Sequence, residues 1–189
     1  MKHKVPVLMY HDIIKEDNDY GVNIKLFYKQ MLLMKKMGYE SINLNQIENV
    51  SSNKTFVITF DDGYENVYTY AMPILKKLNF TATCFFVSNF INKSNDWDKT
   101  FKNYVKKKIM TYDQIKSWAQ NNFEIGSHSL DHKNLSALND NEIIKQLNES
   151  VPHTISDKDF IRYECTDPEK ALSEITKGES PFRNWVSEK

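Results

Sequence analysis

The feature that most constrains the fold of this chain is an alternation of short apolar runs with segments of helical periodicity. Apolar runs of strand length lie at 5–10, 41–44, 55–60, 81–87 and 123–127. After the first run, the apolar spacing predicts a helix over 24–37, with Asn23 as its N-cap and Gly38 as its C-cap. Such an alternation predicts an α/β domain with a mostly parallel sheet.

Three further helices are predicted, over 72–78, over 111–120 and from 139 to just before Pro152. The last two begin with capping-box patterns, Thr111 with Gln114 and Asn139 with Glu142. The polar stretch 89–108 has no such pattern, and we predict that it leaves the core as an excursion.

Length and composition fit one globular domain. The chain has 189 residues, of which 40% are hydrophobic and 26% are charged, and this balance argues against disorder of the whole chain. The net charge of zero, with no long basic stripe, argues against nucleic acid as a partner. No stretch is long and apolar enough to span a bilayer. Cys84 lies in an apolar run and is predicted to be a buried free thiol.

The N-terminus begins with a strand-like run at Val5 and lacks a signal peptide. Two explanations stay open: a cytoplasmic protein, or a chain that has lost its export signal. The sequence does not indicate the oligomeric state.

Residues that titrate or bind metals follow three of the five predicted strands. They are His11 and Asp12 after the first strand, Asp61 and Asp62 after the third, and His128, Asp131 and His132 after the fifth. In parallel α/β folds, chemistry gathers at the carboxyl ends of the strands. We therefore expect these side chains to meet at one edge of the sheet.

The adjacent carboxylates Asp61 and Asp62 do not by themselves distinguish a functional site from a surface turn. Two like charges at a buried edge repel, which raises one pKa or requires a cation. In an extended chain adjacent side chains point to different sides, so that one carboxylate can bind a metal while the other faces the substrate. The alternative is a plain turn, because Asp62-Gly63 is a common turn dipeptide.

His128 and His132 are four residues apart. On a helical turn this spacing places both imidazoles on one face, where they can share one ion. Surface or capping histidines explain most such pairs when they occur alone. A carboxylate from another strand end completes a three-ligand set that leaves positions open for water.

Taken together, these residues resemble the motifs of the polysaccharide deacetylase (NodB-homology) family. The run T-F-D-D-G-Y at 59–64 resembles its first motif, and S-H-S-L-D-H at 127–132 resembles its second, of the form H-[ST]-x-x-H. The opening P-V-L-M-Y-H at 6–11 is similar to that of a subgroup which includes bacterial poly-N-acetylglucosamine deacetylases. The resemblance covers roughly 5–150 and implies a distorted (β/α) barrel with fewer than eight strands.

The resemblance implies an N-deacetylase of N-acetylglucosamine-containing polysaccharide, with a role for each of five residues. Asp62, His128 and His132 would hold a divalent metal, usually zinc, with cobalt or nickel as alternatives. Asp61 would be the general base and His11 the general acid. The chemistry agrees, because a metal lowers the pKa of a water and polarises the acetyl carbonyl. The carboxylate then takes a proton and the histidine gives one to the sugar nitrogen.

Two tyrosines, Tyr10 and Tyr64, lie beside these residues in the sequence. They are candidates for stacking on a sugar ring of the substrate. Packing in the core is the commoner role of such aromatics and stays open as the alternative. The glycan also stays open among poly-N-acetylglucosamine, peptidoglycan and chitin oligomers.

The resemblance stops near Ser150. We predict a deacetylase domain over 1–150 and an atypical polar tail over 151–189, partly disordered, with a short helix near 168–175. The family's third motif, which ends in Pro-Tyr and supplies a backbone N–H for the oxyanion, has no match in the sequence. We therefore expect a barrel that is incomplete at its C-terminal end. The alternative function is a truncated or inactive family member that binds metal, with or without glycan, but does not turn over.

Overall fold

One parallel β-sheet organises the part of the chain that the structure describes. The computed structural model describes residues 4–16, 21–150 and 160–161. The strands are β1 (Val7–Tyr10), β2 (Ile13–Ile14), β3 (Val22–Asn23), β4 (Glu40–Ile42), β5 (Thr55–Phe60), β6 (Thr83–Phe86), β7 (Glu124–Ser127) and β8 (Phe160–Ile161). The helices are α1 (Ile24–Lys36), α2 (Met72–Leu78), α3 (Tyr112–Gln120) and α4 (Asp140–Asn148).

The main sheet has the strand order β1-β5-β6-β7-β8, and β4 also pairs with β5. Each pairing is parallel. β4 pairs with the first half of β5, and β6 pairs with its second half, so that both lie on the side away from β1. The short strands β2 and β3 form a separate parallel pair. The prediction of a mostly parallel sheet is confirmed.

β5 is the centre of the core, because all six of its residues are buried. It is a continuous run of apolar, β-branched and aromatic residues, as expected of a strand covered on both faces. The helices pack apolar side chains around it, including Phe27 and Met31 of α1, Leu75 of α2 and Trp118 of α3. The Trp118 indole N–H donates to the Glu124 carbonyl at 2.9 Å, which satisfies the one polar group of this buried ring.

β1 corrects one sequence prediction. The run at 5–10 was expected to form a buried strand, but Val7 and Met9 are 47% and 49% exposed. β1 is the outer strand of the described sheet and pairs only with β5 within it. Val7 and Met9 are two residues apart and therefore share a face, and that face is open.

The predicted helix starts are confirmed by their caps. Asn23 Oδ1 accepts from the Lys25 N–H at 2.8 Å, and complete capping boxes open α3 and α4. Gly38, just beyond α1, has φ +77°, a conformation that glycine adopts without strain. α2 spans the predicted residues and is preceded by a π-helical turn, Val67–Ala71, which the sequence pattern did not indicate.

Several predictions concern residues outside the described ranges. The helix near 168–175 and nearly all of the tail fall there. The exception is β8, which pairs beside β7 although no strand was predicted beyond 150. The boundary at 150 stays a prediction. Among the described residues, no helix is both long and apolar enough to cross a membrane. Cys84 is buried and its thiol is free, as predicted.

Glu124 fixes the amino-terminal edge of the sheet. Its side chain is buried, and its carboxylate accepts the N–H groups of Leu44 at 2.7 Å and Asn45 at 3.1 Å. It also accepts the hydroxyl of Thr83. One carboxylate therefore joins β7 to β6 and to the 3-10 helix Leu44–Asn49.

We expect Glu124→Ala to lower the free energy of unfolding by about 3 kcal/mol, because it leaves buried donors without an acceptor. Urea unfolding followed by circular dichroism measures this change. Glu40→Ala is the matched control, because Glu40 is an exposed carboxylate at the start of β4. Equal unfolding free energies for the two variants would contradict this role of Glu124.

Candidate active site

The carboxyl ends of β1, β5 and β7 meet at one edge of the sheet and bring the predicted residues together. The Asp61 N–H donates to the Tyr10 carbonyl at 2.9 Å, which continues the β1–β5 pairing past the strand end. The His128 N–H donates to the Phe86 carbonyl at 2.9 Å in the same way beyond β6 and β7. Because the strands are parallel and in register, the residues that follow them lie side by side.

Asp62, His128 and His132 form a compact donor cluster. One ligand atom from each lies within 4.8 Å of the others. Asp62 Oδ1 is 3.4 Å from His128 Nε2 and 3.2 Å from His132 Nε2. Two ligand atoms about 2.1 Å from a tetrahedral zinc ion are themselves about 3.4 Å apart. The spacing of this cluster therefore fits a small divalent cation.

The charge on Asp62 also fits a cation. Its Oδ1 atom is buried and, within the described ranges, receives no hydrogen bond. Burial raises the pKa of Asp62, but the two neighbouring imidazoles, His128 and His132, outweigh it and hold the pKa well below its usual range. A buried carboxylate oxygen without a hydrogen bond is costly, and a bound cation would lower that cost.

The Asp61–Asp62 pair lies in a turn, which corrects the expectation of an extended chain. Asp62 and Gly63 have φ +70° and +73°, so that two successive residues are left-handed. Only glycine fits at 63, because a Cβ there would collide with the Phe86 ring. The turn directs the two carboxylates apart: Asp62 lies against the two histidines, and Asp61 Oδ2 lies 3.7 Å from His11 Nε2.

The segment 128–132 is not the helical turn on which a spacing of four would place both imidazoles on one face. Ser129 and His132 have φ +67° and +56°, and the segment is a loop. Its backbone N–H groups at Leu130 and Asp131 donate to the Gln146 side chain, at 3.2 and 2.9 Å, rather than to carbonyls of a helix. The loop still places the two imidazole rings of the pair 5.1 Å apart.

Gln146 of α4 is a residue that the sequence reasoning missed. It is buried, and besides accepting two backbone N–H groups it donates to Asp131 Oδ2 at 2.9 Å. Asn89 donates to the other oxygen of Asp131 at 2.6 Å. Burial raises the pKa of Asp131, but these hydrogen bonds outweigh it and lower the pKa. The sequence did contain one sign of this role: Gln146 is a polar residue three positions after Ile143, on the apolar face of α4.

The two tyrosines proposed for sugar stacking are buried. Tyr10 packs edge-on against Phe27, with ring centroids 5.1 Å apart, and its hydroxyl donates to Gln30 at 3.0 Å. Burial raises the pKa of Tyr10 to about 12. Tyr64 is 5% exposed, and Lys107 Nζ lies 5.3 Å from its ring centroid. Both are core aromatics that also border a cavity beside the site.

That cavity has a volume of about 770 Å³ and runs from His11 and Asp62 to the predicted excursion at 89–108. The excursion supplies Lys107, whose ammonium group forms an ion pair with the buried Asp12. The sequence pattern gave no indication of this ion pair, whose partners lie far apart in the chain.

Comparison with known proteins agrees with the resemblance. The family model for polysaccharide deacetylase matches residues 48–155. Bacillus subtilis YxkH, assigned as a polysaccharide deacetylase, is 32% identical over 141 residues, which cover 71% of this chain and 46% of that protein. The poly-beta-1,6-N-acetyl-D-glucosamine N-deacetylase of Escherichia coli is 24% identical over 134 residues, 65% of this chain and 20% of that protein. The chain thus spans less than half the length of either relative.

The fold agrees as well. The Streptococcus pyogenes deacetylase PplD, solved in complex with acetate, superposes with a TM-score of 0.67 at 23% identity. The match covers 79% of this chain and 67% of that one. This confirms the predicted fold class, an α/β barrel of the polysaccharide deacetylase type. With more than half of its residues matched by the family model and a relative at 32% identity, the chain belongs to the polysaccharide deacetylase family.

Proposed function

We propose that this domain is a metal-dependent hydrolase that removes N-acetyl groups from N-acetylglucosamine-containing polysaccharide. The observation that carries the proposal is the cluster of Asp62, His128 and His132, with Asp61 and His11 beside it. A donor set of one carboxylate and two imidazoles with an open side is typical of catalytic metal sites. Membership of the deacetylase family gives the reaction class.

Asp62, His128 and His132 would hold the divalent metal. Zinc suits this set best, and cobalt and nickel accept the same donors. When bound, such a metal supplies an acidified water and polarises the acetyl carbonyl. The metal ligands themselves take no proton in the reaction.

Asp61 and His11 would then handle the protons. Asp61 lies beside His11 rather than in the donor cluster. Its carboxylate would take a proton from the water that attacks the acetyl carbon. As the carbon–nitrogen bond breaks, His11 gives a proton to the sugar nitrogen, so that acetate and a free amine leave. His11 Nε2 and Asp61 Oδ2 are 3.7 Å apart, so that both could act on one acetamido group.

The substrate we propose is poly-N-acetylglucosamine. The opening at 6–11 is similar to that of a subgroup which includes deacetylases of this polymer, and the Escherichia coli relative carries this activity in its name. Peptidoglycan and chitin oligomers are the other acetylated glucosamine polymers to compare.

A second candidate function is metal binding without turnover. The observation in its favour is that the sequence has no match to the family's third motif, which supplies an oxyanion donor. Loss of one oxyanion donor costs about 10²–10³ in rate. The two candidates share the metal site and differ only in acetate release.

We expect the chelator-treated protein to bind one zinc ion, as measured by isothermal titration calorimetry. Asp62→Ala removes the anionic ligand and should weaken this binding by more than about 100-fold, beyond the usual effect of an outer-shell change. Asp113→Ala, at an exposed carboxylate in the first turn of α3, is the control and should bind as the parent does. A parent protein that takes up no zinc would refute the site.

Acetate release decides between the two candidate functions. Zinc-, cobalt- or nickel-loaded protein should release acetate from N-acetylglucosamine oligomers, detected by an enzyme-coupled assay. Asp61→Asn and His11→Gln should each slow release by about 10²–10⁴-fold, because each removes a proton-transfer group, while zinc stays bound. Asp113→Asn is the matched control. Metal uptake without acetate from any oligomer would favour the second candidate.

Gln146 should affect metal affinity indirectly, because it holds the loop 128–132 that carries both histidines. Gln146→Leu leaves two N–H groups of that loop without their acceptor, and we expect cobalt affinity to fall about 10–100-fold. The visible spectrum of the cobalt protein should change too, because the imidazole geometry changes. Gln120→Leu, at the exposed end of α3, is the control. An unchanged spectrum and affinity in a folded Gln146→Leu protein would show that the loop holds its shape alone.

A further inference from the structure

His132 is the least enclosed of the three proposed metal ligands. Its side chain is 32% exposed, against 12% for His128 and 8% for Asp62. Apart from its approach to Asp62, its ring makes no hydrogen bond within the described ranges. Metal-binding imidazoles are usually oriented by a hydrogen bond from the second ring nitrogen. Within the part of the chain that the structure describes, the orientation of this ring therefore depends on packing.

The excursion over 89–108 supplies that packing. Trp97 lies in its 3-10 turn Asp96–Asp98. The indole lies over the imidazole of His132, with ring centroids 5.0 Å apart and planes inclined by 35°. Phe90 meets the same indole edge-on, at 4.8 Å between centroids and 85° between planes. The indole of Trp97 is therefore in contact with the rings of both Phe90 and His132.

Backbone hydrogen bonds join the start of the excursion to the loop that carries His132. The Ser88 N–H donates to the Ser129 carbonyl at 3.2 Å. The next N–H along the chain, that of Asn89, donates to the Leu130 carbonyl at 3.0 Å. The excursion and the loop 128–132 are therefore held together by the main chain as well as by the contact between the two rings.

Asn95 fixes the segment next to Trp97. It is 3% exposed, and its side chain donates to the Val105 carbonyl at 3.2 Å and accepts the Lys107 N–H at 2.7 Å. The Asn95 N–H also donates to the Lys107 carbonyl at 3.0 Å. The two arms of the excursion are thereby joined two residues before Trp97, which gives the indole a firm support.

The indole N–H of Trp97 takes no part in holding the ring. Its Nε1 atom is buried and, among the described residues, has no hydrogen-bond partner. A buried indole N–H usually has a partner, as that of Trp118 does. The position of the Trp97 ring is therefore set by its contacts with Phe90 and His132. A phenylalanine ring at this position would keep an aromatic face over the imidazole.

We propose that Trp97 is a positioning residue for the metal site, whose ring holds the imidazole of His132 in the plane that directs Nε2 towards Asp62. The proposal rests on the proposed function, because His132 is one of its three metal ligands. Trp97 does not line the cavity, so that it acts through His132 rather than on the glycan. An imidazole that is held in place before the metal binds loses less rotational freedom on binding, and this raises affinity.

The test compares cobalt binding by chelator-treated proteins that differ only at Trp97, using isothermal titration calorimetry and the visible spectrum. Trp97→Leu keeps an apolar side chain but has no ring. It should weaken cobalt binding by about tenfold, the scale of one aromatic contact. The spectrum should change too, because the imidazole of His132 is then free to rotate. Trp97→Phe should restore the affinity and the spectrum of the parent.

Phe101→Leu is the matched control, because Phe101 is an exposed aromatic residue of the same excursion, and this variant should bind cobalt as the parent does. Urea unfolding checks that Trp97→Leu is folded, and Trp97→Met replaces it if it is not. Parent-like affinity and spectrum in the folded variant without a ring would overturn the role of Trp97, and so would equal losses in that variant and in Trp97→Phe.

The proposed function is tested separately, by zinc uptake and acetate release of the parent protein. If the parent binds metal and releases acetate while the variants at Trp97 bind cobalt equally well, only the positioning role fails. No cobalt uptake by the parent would refute the metal site and the role of Trp97 together.

Discussion

The parallel pairing of β5 with strands on both sides is the constraint on which the rest of this domain depends. Parallel neighbours that run in register end at the same edge, so the chain can deliver side chains from distant positions to one place. All six residues of β5 are buried in the core. The residues of the candidate site begin at Asp61, directly after the strand.

The two residues that follow β5 include an energetically unfavourable feature. Asp62 places a negative charge at a buried position in a left-handed conformation. The buried charge is costly, whereas aspartate tolerates the conformation better than most residues other than glycine. Two imidazoles at 3.2 and 3.4 Å compensate the charge partly, and a cation between the three groups would do so fully. The turn has a second effect, since it turns Asp61 away from the cluster towards His11.

Much of the fold could be predicted because its signals are local. Asn23, Thr111 and Asn139 cap helices through their own neighbours, and the apolar run of β5 has strand length. The exposed face of β1 could not be predicted, because its exposure depends on what packs against that face. A run of apolar residues looks the same at the outside of a sheet as at its centre.

The candidate site was predictable in its composition but not in its geometry. The spacing of His128 and His132 suggested a helical turn, whereas a loop braced by Gln146 brings the rings together. Gln146 lies in another helix, and no pattern within 128–132 points to it. The Lys107–Asp12 ion pair is hidden for the same reason, since its partners are distant in the chain. Contacts between segments are decided by tertiary packing, which the sequence pattern does not encode residue by residue.

The two ends of the strands carry different kinds of polar group. At the amino-terminal edge, Glu124 joins β7, β6 and the 3-10 helix at Leu44 with hydrogen bonds to one carboxylate. At the carboxyl edge, the polar groups face the cavity and the donor cluster, and the loops there are held by side chains such as Gln146 and Asn95 rather than by the sheet. The exposed side chains of the excursion are separate from these anchors, so that they can change without moving the donor cluster. If the proposed function holds, such a domain could alter which glycan it binds by changing the excursion, while the residues at the strand ends keep their positions.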